Sequence, residues 1–234
     1  MCVGRNIYLL FKQPVHKRKL RKKMATNIVN VEMILPDGVI TNATINSGAG
    51  ISTSKLETQT DQIFPIPLHI GKTWDAFHAN LPGTSSADDL ALNTGTIGTN
   101  FVTIRTSDLK AAGATTRYAG FLVPVPQNYK DGGSFEIRVT GGMITTIADV
   151  AATADLQVHR SNTTGGVSSD ICQTSATTIN SLTKSNIDFN IDSTAIDPGD
   201  ILMVRLAVAV NDAATATAVI AEVSSMQVVC ETRG

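Results

Sequence analysis

Short runs in which every second side chain is apolar, each closed by a turn sequence, fill residues 99–230 and leave few folds open to this chain. The pattern is cleanest at Phe135, Ile137 and Val139, at Leu156 and Val158, and at Ile187, Phe189 and Ile191. Successive side chains of an extended backbone point to opposite faces, so these residues share a buried face while Glu136, Arg138, Asp188 and Asn190 meet water. Eight strands are predicted, over residues 99–106, 117–125, 134–140, 153–160, 177–182, 186–191, 201–210 and 217–230. Asp131-Gly132-Gly133 and Asp197-Pro198-Gly199-Asp200 read as turns, because Pro presets one dihedral and Gly accepts positive φ. Residues 107–113 read instead as one helical turn, capped by Ser107 and closed by Gly113. Residues 201–210 are apolar almost throughout, which predicts a strand covered on both faces, the second cover being the N-terminal arm or a neighbouring subunit.

Eight antiparallel strands in one domain match a jelly roll, in which two four-stranded sheets enclose a core about 10 Å thick. The expected class is all-β: an antiparallel, jelly-roll-like β-sandwich with an extended N-terminal arm or hairpin. The sandwich is assigned to residues 63–234 and the arm to residues 1–62. Within the arm, Asp37-Gly38 separates the β-rich runs 31–35 and 39–45, a hairpin signal, and residues 47–61 are a small, polar connector. The sandwich opens at Ile63 with a segment carrying Pro65 and Pro67, which suits an edge strand. Aromatic residues make up only 5% of the chain, so apolar area per residue is low and an oligomer would supply burial that a lone subunit lacks.

Charge is unevenly spread. Residues 1–23 carry eight Lys and Arg and no acid, leaving eleven bases against twenty acids, a net charge of about −9, in the rest. The run 17–23 is the one stretch suited to a nucleic-acid contact; a solvated tail, or an extension upstream of a start at Met24, competes with that reading. No stretch of 18 apolar residues occurs, and the apolar run 7–11 precedes its basic flank, the wrong order for a secretory signal. The expectation is a protein that is not secreted and does not span a membrane. Cys2, Cys172 and Cys230 form neither a metal spacing nor a disulfide framework, and Cys172 and Cys230 read as small buried hydrophobes.

No catalytic constellation emerges. His16, His69, His78 and His159 show no metal-ligand spacing, and there is no nucleophile elbow, phosphate loop or dinucleotide fingerprint, so no catalytic residue, metal or cofactor is expected. Asp88-Asp89 could serve as a carboxylate pair, but adjacent residues rarely aim at one point, which favours a solvated loop. Asp197 and Asp200 are explained by the turn they bracket. Trp74, Phe77 and Tyr118 could form a sugar-stacking platform; a single Trp in a chain so poor in aromatics more often anchors a core or an interface.

The stretches 74–84 (WDAFHANLPGT), 106–115 (TSDLKAAGAT) and 197–216, from Asp197-Pro198-Gly199-Asp200 to Asn211-Asp212-Ala213-Ala214-Thr215-Ala216, resemble virion-associated proteins of tailed bacteriophages. The resemblance spans residues 63–234 and carries no catalytic residues. It implies a jelly-roll capsid decoration or cement protein, a homotrimer bound to the major capsid protein at the virion surface and made in the host cytoplasm. Val31, Met33, Leu35, Trp74 and Phe77 are then the expected interface residues, buried by another chain. The rival expectation is a carbohydrate- or receptor-binding sandwich of a fibre or tail.

Overall fold

The computed structural model describes residues 61–161, 166–213 and 216–233. Backbone proximity divides the chain into Met1–Ile51 and Ser52–Gly234, and all described residues belong to the second unit. The Asp37-Gly38 hairpin, Val31, Met33, Leu35 and the basic residues 17–23 lie outside the described residues.

Twelve strands form among the described residues: β1 Gln62–Ile66, β2 Lys72–Thr73, β3 Ala76–Asn80, β4 Ala91–Asn93, β5 Thr103–Arg105, β6 Gly113–Pro124, β7 Phe135–Met143, β8 Ala151–Arg160, β9 Thr177–Thr178, β10 Ser185–Asn190, β11 Ile201–Asp212 and β12 Ala221–Cys230. They build two antiparallel sheets. One runs β10-β7-β12-β5-β4, with β1 also on β12; the other runs β3-β2-β6-β11-β8-β9.

The last eight strands pair as nested partners: β5 with β12, β6 with β11, β7 with β10 and β8 with β9. A single long hairpin has been rolled so that alternate pairs fall in opposite sheets, giving the orders β5-β12-β7-β10 and β6-β11-β8-β9. That is the jelly roll, and its eight strands are the eight read from alternation and turns. Gly132 and Gly199 adopt φ of +73° and +87°, as their turns require. β1 pairs only with β12, an edge position compatible with Pro65.

The core lies between the sheets. Phe121, Val123, Leu156, Val158, Leu202, Val204, Leu206 and Val208 face Phe135, Ile137, Val139, Phe189, Val223 and Val228, all buried. On β12 the core-facing set is Cys230, Val228 and Met226, then Val223 and Ala221; a bulge between Val223 and Ser225 restores the inward phase that strict alternation would lose. Tyr129 meets Phe135 edge to face at 5.4 Å, and its hydroxyl donates to the Gly133 carbonyl at 2.6 Å, which ties the 131–133 turn to the core. Burial pushes that hydroxyl up to about 12, keeping it a donor.

One expectation is corrected. Residues 107–112 form no helical turn: the Leu109 amide donates to the Val219 carbonyl and Asp108 Oδ1 accepts from the Val219 amide, so pairing with a distant segment displaces the local cap, and Gly113 opens β6. β11 turns one face into the core, and its alternate residues Met203, Arg205, Ala207 and Ala209 are half-buried; the arm expected to cover that second face lies outside the described residues.

Phe189→Ala should cost about 3–5 kcal/mol in chemical denaturation, because it empties a fully buried ring site between the sheets. Asn190→Ala, one residue on and facing water, should stay within about 0.5 kcal/mol.

Candidate functional site

The outward face of the second sheet carries three cross-strand rows set by register. Gly120, Arg205 and Gln157 form one row, Tyr118, Ala207 and Asp155 the next, and Thr116, Ala209 and Thr153 the third. In the second and third rows the β11 member is alanine, whereas β6 and β8 supply longer side chains on either side. A groove of about 220 Å³ follows, floored by Ala207 and Ala209 and lined by Thr116, Tyr118, Thr153 and Asp155. Arg205 and Gln157 line it as well, joined by a hydrogen bond from the guanidinium to the amide oxygen.

Trp74 and Asp75 are the two loop residues of the β2–β3 hairpin, fixed by the Thr73 hydroxyl donating to the Ala76 carbonyl at 2.8 Å. That turn sets the indole against Tyr118, ring centres 5.1 Å apart, and beside Arg205, whose guanidinium carbon lies 4.9 Å from each ring centre. Trp74 Nε1 donates to Asp88 Oδ2 at 2.8 Å, while Asp89 bridges to the Tyr118 backbone. The aromatic pair therefore holds an arginine, and the alternative of a sugar-stacking platform from Trp74, Phe77 and Tyr118 does not form as a flat surface. Phe77 lies on Gly120, where an added Cβ would come within 2.8 Å of the ring. Both Trp74 and Phe77 are half-buried within their own chain.

Burial raises the Asp155 carboxyl above its ordinary value, against the hydrogen bond it accepts from the Leu156 amide at 3.0 Å. Burial likewise raises Asp89, helped by the charges of Asp88 and Asp75. The other sequence candidates are dispersed. His159 Nδ1 contacts the Ser168 carbonyl at 3.0 Å, and Asp197 and Asp200 both bind the Arg160 guanidinium, at 2.8 and 2.9 Å. Among the described residues no three His, Cys, Asp or Glu side chains converge as metal ligands.

A second surface lies on the other sheet. The loop between β4 and β5 is closed by the Thr96 carbonyl, which accepts from the Thr99 and Asn100 amides at 2.9 and 3.0 Å, and by Asn100 Oδ1, which accepts from the Thr96 amide at 2.8 Å. Gly95 lies so close to this turn that a Cβ there would meet the Asn100 carbonyl at 2.4 Å. The closed loop displays Ile97 at 103% and Phe101 at 89% exposure. Phe101 borders a cavity of about 540 Å³ shared with Thr103, Arg105, Lys184, Glu222 and Ser225. At its base Glu222, only 4% exposed, accepts from Arg105 Nε at 2.6 Å, from the Thr103 hydroxyl at 2.8 Å and from Lys184. Burial alone would raise the Glu222 carboxyl; the hydrogen bonds from Lys184, Arg105 and Thr103 outweigh it and hold the group below its ordinary value. None of Ile97, Phe101, Asp155, Gln157, Arg205 or Glu222 stands out in sequence, because each acquires its role from partners distant along the chain.

No family model and no curated protein matches the chain. Among solved structures it is similar to the CBM22-1 xylan-binding domain from Paenibacillus barcinonensis Xyn10C, at 11% identity and TM-score 0.36, over 73% of this chain and 97% of that one. The family 30 carbohydrate-binding module of a cellulosomal cellulase of Clostridium thermocellum aligns at 12% identity and TM-score 0.31, over 62% and 83%. Infectious bursal disease virus, Gt strain, aligns at 11% identity and TM-score 0.30, over 66% and 42%. The jelly-roll assignment rests on the nested strand pairs, and no ligand or partner is carried over from these likenesses.

Stability contributed by Glu222, whose folded-state pKa is depressed, is present above its unfolded value, near 4.5, and is lost as pH falls through the lower folded value. Glu222→Gln should therefore cost about 1–2 kcal/mol near neutral pH, the lower range because Arg105 and Lys184 stay partly hydrated, and the difference in Tm from the parent should shrink steadily below pH 4.5.

Proposed function

We propose that this chain is a non-enzymatic structural protein of a virion, a capsid decoration or cement protein that binds the major capsid protein and copies of itself as a homotrimer. The observation that carries this reading is the closed loop bearing Ile97 and Phe101. A hydrogen-bonded loop that holds two large apolar side chains in water has no use for them within its own fold, and burying each against another chain would contribute about 1.5–3 kcal/mol. Such contacts are individually weak. Repeated by the symmetry of a shell they add through effective concentration, so a rigid sandwich needs few anchors per copy.

Other features agree with an assembly role. Charged groups on the outer faces are occupied with one another, as in the bidentate Arg138–Asp188 pair at 2.6 and 2.9 Å and the Arg160 clasp, rather than gathered as acid and base. In this reading Val31, Met33 and Leu35 belong to an arm that reaches a neighbouring chain, and the half-buried Trp74 and Phe77 form a shoulder at the contact. The protein would then reside on the capsid surface.

Co-sedimentation with purified particles of the virus encoding it tests the proposal. The parent chain should pellet with the particles, and the double substitution Ile97→Ser, Phe101→Ser should weaken that binding by tenfold or more with Tm unchanged. Binding that survives the double substitution would remove this loop from the interface, and a chain that never pellets with particles would end the assembly reading itself.

A further inference from the structure

Apart from any assembly role, the alanine-floored groove has the composition of a ligand site, and we propose that it binds a neutral sugar, one pyranose ring of a glycan lying along β11. Its volume of about 220 Å³ is below the about 300 Å³ at which pockets for drug-sized molecules begin, and suits one ring. A single acid, Asp155, and a single base, Arg205, face the groove, so neither an anion nor a cation finds a matched partner.

The lining supplies both donors and acceptors, as a ring of hydroxyls requires. Asp155 is acceptor only in its ionised form, Arg205 is donor only, and Gln157 with the hydroxyls of Thr116, Tyr118 and Thr153 can act either way. The methyl groups of Ala207 and Ala209 offer the apolar floor on which the C–H face of a pyranose can rest. Preorganisation comes from the surrounding structure. Arg205 is packed against both Trp74 and Tyr118 and tied to Gln157, and Asp155 is held by the Leu156 amide, so little side-chain freedom remains to be lost on binding.

Trp74 is the only tryptophan in the chain and stacks on a groove-lining residue, so intrinsic fluorescence reports occupancy directly. The full chain should be titrated with glucose, galactose, mannose and xylose and their linear oligomers, with glucuronic acid as a charged control. At least one neutral sugar should shift or quench the emission saturably, with glucuronic acid binding more weakly than its neutral counterpart. Asp155→Asn, which preserves size, and Ala209→Leu, which fills the floor, should each weaken binding by tenfold or more with Tm unchanged. Amide chemical-shift mapping on the unsubstituted protein should place the perturbations on β6, β8 and β11. No response to any neutral sugar, a response that survives both substitutions, or perturbations confined to the other sheet would each overturn the proposal. None of these outcomes depends on whether the chain binds particles.

Discussion

The pairing of β6 with β11 is the interaction from which the other features of this molecule follow. Twelve residues of each strand are in register, from Ile201 with Pro124 to Asp212 with Gly113. One face of this ladder supplies Phe121, Val123, Leu202, Val204, Leu206 and Val208 to the core. The opposite face, by the same period of two, supplies Tyr118, Arg205, Ala207 and Ala209 to the groove. A slip of one residue would exchange the two sets, placing Arg205 between the sheets and Leu206 in water. Core and groove are thus two consequences of a single register.

The outer faces divide the remaining work. On one sheet Arg205 is held by two aromatic rings, a use of scarce aromatics that fixes a cation at the edge of the groove. On the other, Glu222 is buried beneath Arg105, Lys184 and Thr103, bringing together β5, β12 and the segment before β10. Removing one member of such a cluster leaves another uncompensated, so these contacts specify which strands meet more than they add to net stability.

Much of the sandwich was legible in the sequence because its cues are local. Alternation at 135–139 and 187–191, with Gly132 and Gly199 at turns, is decided by neighbours along the chain, and all eight jelly-roll strands were found from it. The failures share a cause. Ser107 and Gly113 carry local helix signals that lost to the backbone of Val219. The β2–β3 hairpin carries no local signal, because Trp74-Asp75 lacks the Gly or Asn that usually marks a two-residue turn. Phe101 falls within the alternating run 99–106, but the strand begins only at Thr103 and leaves Phe101 exposed. The groove was invisible because its floor is alanine, a residue whose meaning depends on what stands beside it across the sheet.

The nesting of strand pairs also governs how this molecule comes into being. The innermost partners, β8 and β9, are near neighbours in the chain, whereas β5 must find β12 across 117 residues, the separation of Arg105 from Glu222. Only two residues of each strand are in register there, so a long search is rewarded by a short ladder. On a ribosome the first jelly-roll strand emerges long before its partner exists, and the edge it does not share with β4 waits unpaired until Glu222 and Val223 have cleared the exit tunnel. The sandwich accordingly closes last where the chain began it, and chaperones or early self-association have their opportunity at that open margin.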